Sequence, residues 1–354
     1  MADGTPPRGR GTGENPENRY ERLHVEYDPS QEGALEPPKV ATLHFRDTSR
    51  TALAENDSPD VPFRYSLNPY RGCEHGCIYC YARPTHEYLS FSAGLDFETR
   101  IMVKDDAPDL LRQTFLSPKW QPQIVSLSGN TDCYQPAEKA LKLTRRCLEV
   151  FREFMNPVGV VTKSALVMRD IDILRDLAAG EAAHVFISIT SLEDELAGRM
   201  EPRAARPQRR LRALEALAAA DIPVGVLVAP LIPGLNDSEI PAILAAAADA
   251  GARTASYVLL RLPRPVDALF DDWLERNYPE RRQRVLGRIR DCRGGRLSDA
   301  NFGSRMRGQG VYAEHVASLF RNTARRHGLD RPLPSLSVAS FHRPPQAGDQ
   351  MKLL

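Results

Sequence analysis

Long apolar stretches are missing from this chain. No run approaches the roughly 18 residues that a membrane-spanning helix needs. The N-terminal stretch through His24 holds basic side chains but no apolar segment, so it does not read as a secretory signal. A cytoplasmic protein without membrane association is the expectation. An excess of charge is also missing. Lys and Arg number 47 against 46 Asp and Glu, a formal net charge of +1. The molecule as a whole therefore exerts no strong pull on nucleic acid or lipid. Cysteine is scarce, with six in 354 residues, too sparse for a secreted disulfide scaffold. Three of the six fall between positions 73 and 80, which suggests metal binding in a reducing compartment.

What is present is the composition of a globular protein, 42% apolar and 26% charged. The length suits one large domain with extensions or two ordinary ones. Residues 1–55 are rich in Gly, Pro, Asn and charge, and read as a largely disordered arm. Short β-branched runs then recur at Val61–Leu67, Gln123–Leu127, Val158–Val161, Val185–Ile189, Val224–Val228 and Ser256–Leu260. They lack strict polar alternation, as parallel strands buried on both faces do. Helical periodicity fills the gaps at Pro136–Phe154, Met168–Ala179, Arg209–Ala220 and Ser238–Ala250. Strand then helix, repeated about six times, predicts an α/β fold: a partial (β/α)6 TIM-type barrel. An open doubly wound sheet stays as the alternative. The core is placed at 56–295, and 296–354 reads as a C-terminal extension packed on it.

The segment around the three cysteines is Asn68-Pro-Tyr-Arg-Gly-Cys73-Glu-His-Gly-Cys77-Ile-Tyr-Cys80-Tyr-Ala-Arg. Three thiolates spaced C-x3-C-x2-C can hold three corners of an iron–sulfur cube and leave the fourth iron open. Gly72 and Gly76 let the backbone fold tightly round such a body. Two other readings stand beside this one. A zinc site would draw on His75 or a distant ligand, although no second cysteine pair exists. An electron-transfer cluster would take Cys133 as its fourth ligand.

Ligands of parallel β/α folds sit at the carboxyl ends of the strands. After the second strand come Ser128-Gly129-Asn130-Thr131-Asp132, whose oxygens suit a substrate ammonium or, more simply, cap the next helix. After the third comes Lys163, a partner for a carboxylate or a side chain that snorkels to solvent. After the fourth comes Ser188, directed into the barrel mouth or satisfied by its own backbone. Glu201-Pro202-Arg203 opens an arginine-rich run through Arg212, most of which reads as a solvated helix face. The turn-rich loop Ala229–Asp237 follows the fifth strand. Arginines 281, 282, 284, 288, 290, 293 and 296 suit either a phosphate track or a solvated face; no aromatics interleave with them.

The triad with Tyr79 before its last cysteine resembles the radical S-adenosylmethionine superfamily, and Asn68–Arg83 resembles its spore photoproduct lyase-like branch, often labelled DNA repair photolyase. The resemblance covers roughly 60–265. It implies a radical S-adenosylmethionine core at 56–295, with Cys73, Cys77 and Cys80 holding a [4Fe–4S] cluster. It implies S-adenosyl-L-methionine as cofactor, its amine and carboxylate on the open iron, cleaved by one electron to a 5′-deoxyadenosyl radical that takes hydrogen from a substrate. Thr131, Asp132, Lys163 and Ser188 match segments that contact S-adenosylmethionine in that branch. Tyr79 is expected against the cluster or the adenine, and the 229–237 loop beside the adenosine. A flavodoxin or ferredoxin would supply the electron, to a monomeric enzyme. Spore photoproduct lyases use a cysteine as hydrogen donor where this chain has Gly129. Tyr81 matches the tyrosine that works with it, and Cys133 stands near enough in sequence to substitute, or is a buried structural thiol. The substrate stays open between a nucleic acid lesion or modified nucleotide, and a protein or small molecule. A zinc- or cluster-bearing binding module without turnover is the alternative of another class.

Overall fold

The computed structural model describes residues 6–20 and 40–345. Parts of the expected arm (1–5 and 21–39) and the end of the extension (346–354) lie outside the described residues. Among the described residues there are ten strands: β1 Leu43–Arg46, β2 Leu53–Glu55, β3 Tyr65–Leu67, β4 Tyr70–Arg71, β5 Arg100–Val103, β6 Val125–Leu127, β7 Val158–Thr162, β8 Ala183–Ser188, β9 Val224–Leu231 and β10 Thr254–Leu259. Seven form one sheet in the order β10-β9-β8-β7-β6-β3-β2. Its six strands from β3 to β10 run parallel, and β2 pairs antiparallel on the β3 edge. This is the expected partial (β/α)6 barrel, left open between β2 and β10. β1, β5 and β4 make a small second sheet.

The strands form where Val and Ile crowd together, because branched side chains fit a pleated surface covered on both faces. Val158, Val160, Val185, Ile187, Val224 and Val226 are all fully buried. They pack with Phe151, Leu174, Leu214 and Leu244 of the surrounding helices in one core. Helices Pro207–Ala219 and Pro279–Asp291 start on proline, whose missing N–H costs nothing in a first turn. The single helix expected over 136–154 is two, Glu138–Leu141 and Leu143–Phe154. Lys142 between them is left-handed at φ 51° and breaks the helical backbone.

A second apolar cluster backs the cysteine loop. Ile78 packs there with Met200, Ile232 and Leu262, and with Phe270, Trp273, Val285 and Ile289 from helices Val266–Asn277 and Pro279–Asp291. After 296 the chain forms the helix Gly310–Arg326. Among the described residues, no helix is long and apolar enough to cross a membrane.

Residues 6–20 fall within the expected arm, yet they lie along the segment that follows the cysteines. Glu14 O accepts Leu95 N at 2.9 Å, Asn15 Oδ1 accepts Asp96 N at 2.9 Å, and Asn18 Nδ2 donates to Glu87 O at 3.0 Å. What holds this segment is polar pairing with distant backbone. It leaves no apolar period in the sequence.

Candidate active site

The three cysteines lie on the loop between β4 and a short 3-10 helix, Arg83–Leu89. Backbone turns set the loop: Cys73 N donates to Phe97 O at 2.8 Å, Cys80 N to Cys77 O at 3.2 Å, and Ile78 N to Met200 O at 3.0 Å. Gly76 holds φ 68°, and a Cβ there would come 2.7 Å from Glu98 Oε2. Only glycine meets both demands. Behind the loop Arg83 is fully buried. Its Nε donates to Cys77 O at 3.0 Å, its Nη1 to Gly94 O at 2.9 Å, and its Nη2 pairs with Glu98 at 2.5 Å. The other Glu98 oxygen accepts Gly11 N at 2.9 Å.

None of the three thiols is in a disulfide. Burial pushes all three pKa values up, with the charge of Lys163 pulling back at Cys77 and Cys80. Without a cation the sulfurs are neutral thiols at physiological pH, and a bound metal would supply the charge that deprotonates them. Among the described residues, no three His, Cys, Asp or Glu side chains converge on one point as the ligands of a single ion do. Three sulfurs on one glycine-flanked loop, spread along a cavity wall, fit a cluster several ångströms across.

That cavity, about 550 Å³, opens at the carboxyl ends of the parallel strands. Its wall includes Cys73, Cys77 and Cys80 together with Thr131, Asp132, Lys163 and Ser188. Asp132 Oδ1 accepts from Thr162 Oγ1 at 2.7 Å, and Oδ2 accepts from Lys163 N at 2.7 Å and lies 3.4 Å from His75 Nδ1. Burial alone would raise the Asp132 carboxyl. His75 and these donors outweigh it and bring the pKa down to about 2. Asp132 therefore ties the ends of β6 and β7 to the cysteine loop. Thr131 donates its hydroxyl to Tyr70 O at 2.6 Å. The Lys163 ammonium donates to Ser188 Oγ at 2.8 Å and Ala229 O at 3.1 Å, and stands 5.9 Å from the Tyr79 ring centre.

Below Tyr79 lies a buried charge network that single-residue reading missed. Glu201 accepts from Tyr79, Thr190 and Arg210. Burial would raise its carboxyl, but Arg210, Lys163 and the hydroxyl donors bring it down to about 2. Arg210 is 2% exposed and also donates to Ser188 O at 3.0 Å, which corrects its reading as part of a solvated face. The signal was Glu201 itself, nine positions before Arg210 and flanked by a turn. Arg293 is corrected in the same way. It is buried, and donates to the carbonyls of Leu259, Leu260 and Ser304. Arg282 is paired with Asp271 at 2.6 Å.

Tyr81 lies in the same cavity wall and donates to Gly129 O at 2.7 Å. Cys133 does not join them. It is fully buried in the main core, outside the cavity wall, where burial holds its thiol pKa high. In the 229–237 loop Asn236 is fully buried. Its Nδ2 donates to Thr190 O at 2.7 Å, and its Oδ1 accepts Ile232 N at 2.6 Å.

Residues 67–247 match the family model of the Radical SAM superfamily. An uncharacterized protein of Mycobacterium tuberculosis is 37% identical over 222 residues, 62% of this chain and 65% of its own length. One from Methanocaldococcus jannaschii is 30% identical over 217 residues, 61% of this chain and 77% of its own. The alignment thus spans just under two thirds of the mycobacterial relative. Among solved structures, spore photoproduct lyase complexed with dinucleoside spore photoproduct superposes with a TM-score of 0.55 at 19% identity, over 80% of this chain and 78% of the lyase. A lyase variant with bound AdoMet and dinucleoside spore photoproduct gives 0.51 at 18% identity, over 77% and 75%. These two are likenesses of fold.

Proposed function

The chain belongs to the radical S-adenosylmethionine superfamily, and from that we propose an enzyme that holds a [4Fe–4S] cluster on Cys73, Cys77 and Cys80 and uses it on S-adenosylmethionine. The observation that carries this reading is the placement of all three cysteines on the wall of one cavity, with Lys163 and Ser188 also lining it. Once bound, the cluster and S-adenosylmethionine supply one-electron cleavage to methionine and a 5′-deoxyadenosyl radical.

The chain's own residues divide the remaining work. The thiolates of Cys73, Cys77 and Cys80 would hold three of the cluster's irons. Lys163, its ammonium already oriented by Ser188 and Ala229, has one N–H left for the methionine carboxylate. Glu201 and Arg210 hold Tyr79 rigid beneath that ammonium. Asp132 and Thr131 fix the loop after β6, so that the cofactor meets a preorganised wall. Tyr81, next to Cys80 and bonded to Gly129 O, is placed to act on the substrate side. Gly129 carries no thiol, and Cys133 lies outside the cavity. Repair of a thymine dimer through a donor cysteine is therefore disfavoured, and a hydrogen abstraction that needs no protein thiol is favoured. An external one-electron donor of the flavodoxin or ferredoxin kind completes the system.

The test is anaerobic reconstitution with iron and sulfide, then dithionite and S-adenosylmethionine, with 5′-deoxyadenosine measured by chromatography. Running it with and without damaged DNA adds the substrate question. Purified protein with one tight zinc, no iron and no 5′-deoxyadenosine overturns the proposal.

A further inference from the structure

Buried and half-buried arginines in this protein are almost all occupied. Arg83 has Glu98 and three carbonyls, Arg210 has Glu201, Arg293 has three carbonyls, and Arg305 has Asp60 and Ser58. Arg261 differs. It lies two residues beyond β10 in the cavity wall, with its guanidinium 5.3 Å from the centre of the Tyr81 ring. Its one hydrogen bond among the described residues is the weak contact from Nη1 to Met306 Sδ at 3.6 Å. No carboxylate among the described residues lies within ion-pair distance of it. Asp60, which is close enough to act on its charge, is held by Arg305 and by Gly303 N.

A partly buried cation without a counter-ion is costly, and the cost is removed when a ligand supplies the anion. The planar fork of arginine matches the paired oxygens of phosphate or carboxylate. Tyr81 covers one face of the guanidinium, which leaves its edge for such a fork.

We propose that Arg261 is the anchor for an oxyanion of the substrate, a phosphate or a carboxylate, at the outer end of the cleft beside Tyr81. This rests on the reading of the cavity as the reaction chamber. It makes the substrate anionic, its charged end beside Tyr81, which stands between Arg261 on one side and the Gly129 carbonyl on the other. Lowering of the Arg261 pKa by burial and by the charge of Arg305 agrees with a site short of negative charge.

Phenylglyoxal, which attacks free guanidinium groups, tests this on the full-length protein. Labelling at Arg261 is followed by peptide mass spectrometry in inorganic phosphate, in acetate, and in chloride of matched ionic strength. Arg264, whose side chain is 83% exposed, reports unspecific effects. The expected result is labelling at Arg261 that phosphate or acetate slows and chloride does not, with Arg264 unchanged. By simple mass action the slowing is about tenfold when the anion stands tenfold above its dissociation constant. Protection by phosphate alone identifies a phosphate-bearing substrate, and protection by acetate alone a carboxylate-bearing one. Equal labelling in all three salts overturns the inference, as does an Arg261 that phenylglyoxal does not modify. Calorimetric titration with inorganic phosphate gives a second reading, with Arg261→Gln expected to bind about tenfold more weakly than wild type and Arg261→Lys to fall between. Equal affinity in all three forms overturns it. None of these measurements needs cleavage of S-adenosylmethionine, so failure of the cluster reading and failure of this one are told apart.

Discussion

Ser66 closes the space in front of Gly129: a Cβ on Gly129 would stand 2.9 Å from the Cβ of Ser66 and 3.1 Å from its Oγ. A cysteine side chain at this position requires Ser66 to give way. Gly129→Cys is expected to destabilise the fold by about 1–3 kcal/mol, as overpacking does. Adding Ser66→Gly should recover part of that loss, so that the pair costs less than the sum of the two singles. Urea unfolding of the three variants measures this; additive losses would show that the two sites do not touch.

The six cysteines should separate into two classes. Cys73→Ala, Cys77→Ala and Cys80→Ala are each expected to lose most bound iron and sulfide after reconstitution. Cys133→Ala, Cys147→Ala and Cys292→Ala should keep them, because those thiols are buried away from the cavity. Iron and sulfide per chain decide the matter, and full iron loading of Cys77→Ala counts against the ligand set.

Removing one partner of the buried Glu201–Arg210 pair strands the other. Glu201→Gln is expected to cost about 3–5 kcal/mol. It should also loosen Tyr79, which fluorescence or near-ultraviolet dichroism would register. A loss below about 1 kcal/mol in chemical denaturation would place the pair in solvent instead.

Acid should lower the stability of this protein over two successive pH ranges. Burial lowers His86 to about 4, so the unfolded chain takes up its proton first and stability begins to fall below about pH 6.5. Asp132 and Glu201, both near 2 in the folded protein, contribute stability that is whole above about pH 4.5 and lost as pH falls toward 2. Each is worth roughly 2–3 kcal/mol at neutral pH. Urea midpoints from pH 8 to pH 3 trace the curve, and Glu201→Gln should flatten its lower limb.

Lys163→Ala should leave iron content intact and weaken S-adenosylmethionine binding by about tenfold or more, the cost of one charge-assisted hydrogen bond. Calorimetry on the reconstituted protein reads this directly. Unchanged affinity would free Lys163 from the cofactor and leave it as a tie between β7, Ser188 and Ala229.

Much of this was written in local chemistry. The six parallel strands showed as clusters of Val and Ile, and the cysteine loop as a spacing. Thr131, Asp132, Lys163 and Ser188, singled out by their places just past or at a strand end and by the family resemblance, line the cavity. What stayed hidden depends on partners far along the chain. Arg210 looks like any arginine in a basic helix until Glu201 and Ser188 are folded against it. Lys142 interrupts a helix that its apolar period carries straight through. Arg261 is distinguished only by the carboxylate it lacks, and an absence of that kind has no letter.

The bond from Gly11 N to Glu98 Oε2 spans 87 residues of chain, and a Cβ at Gly11 would lie 1.9 Å from Gly76 O. The tail therefore has no seat until Gly76 and Glu98 are both in place. A bulky group at Gly11 would strike the Gly76 carbonyl and lift the N-terminal segment off the outer face of the cysteine loop.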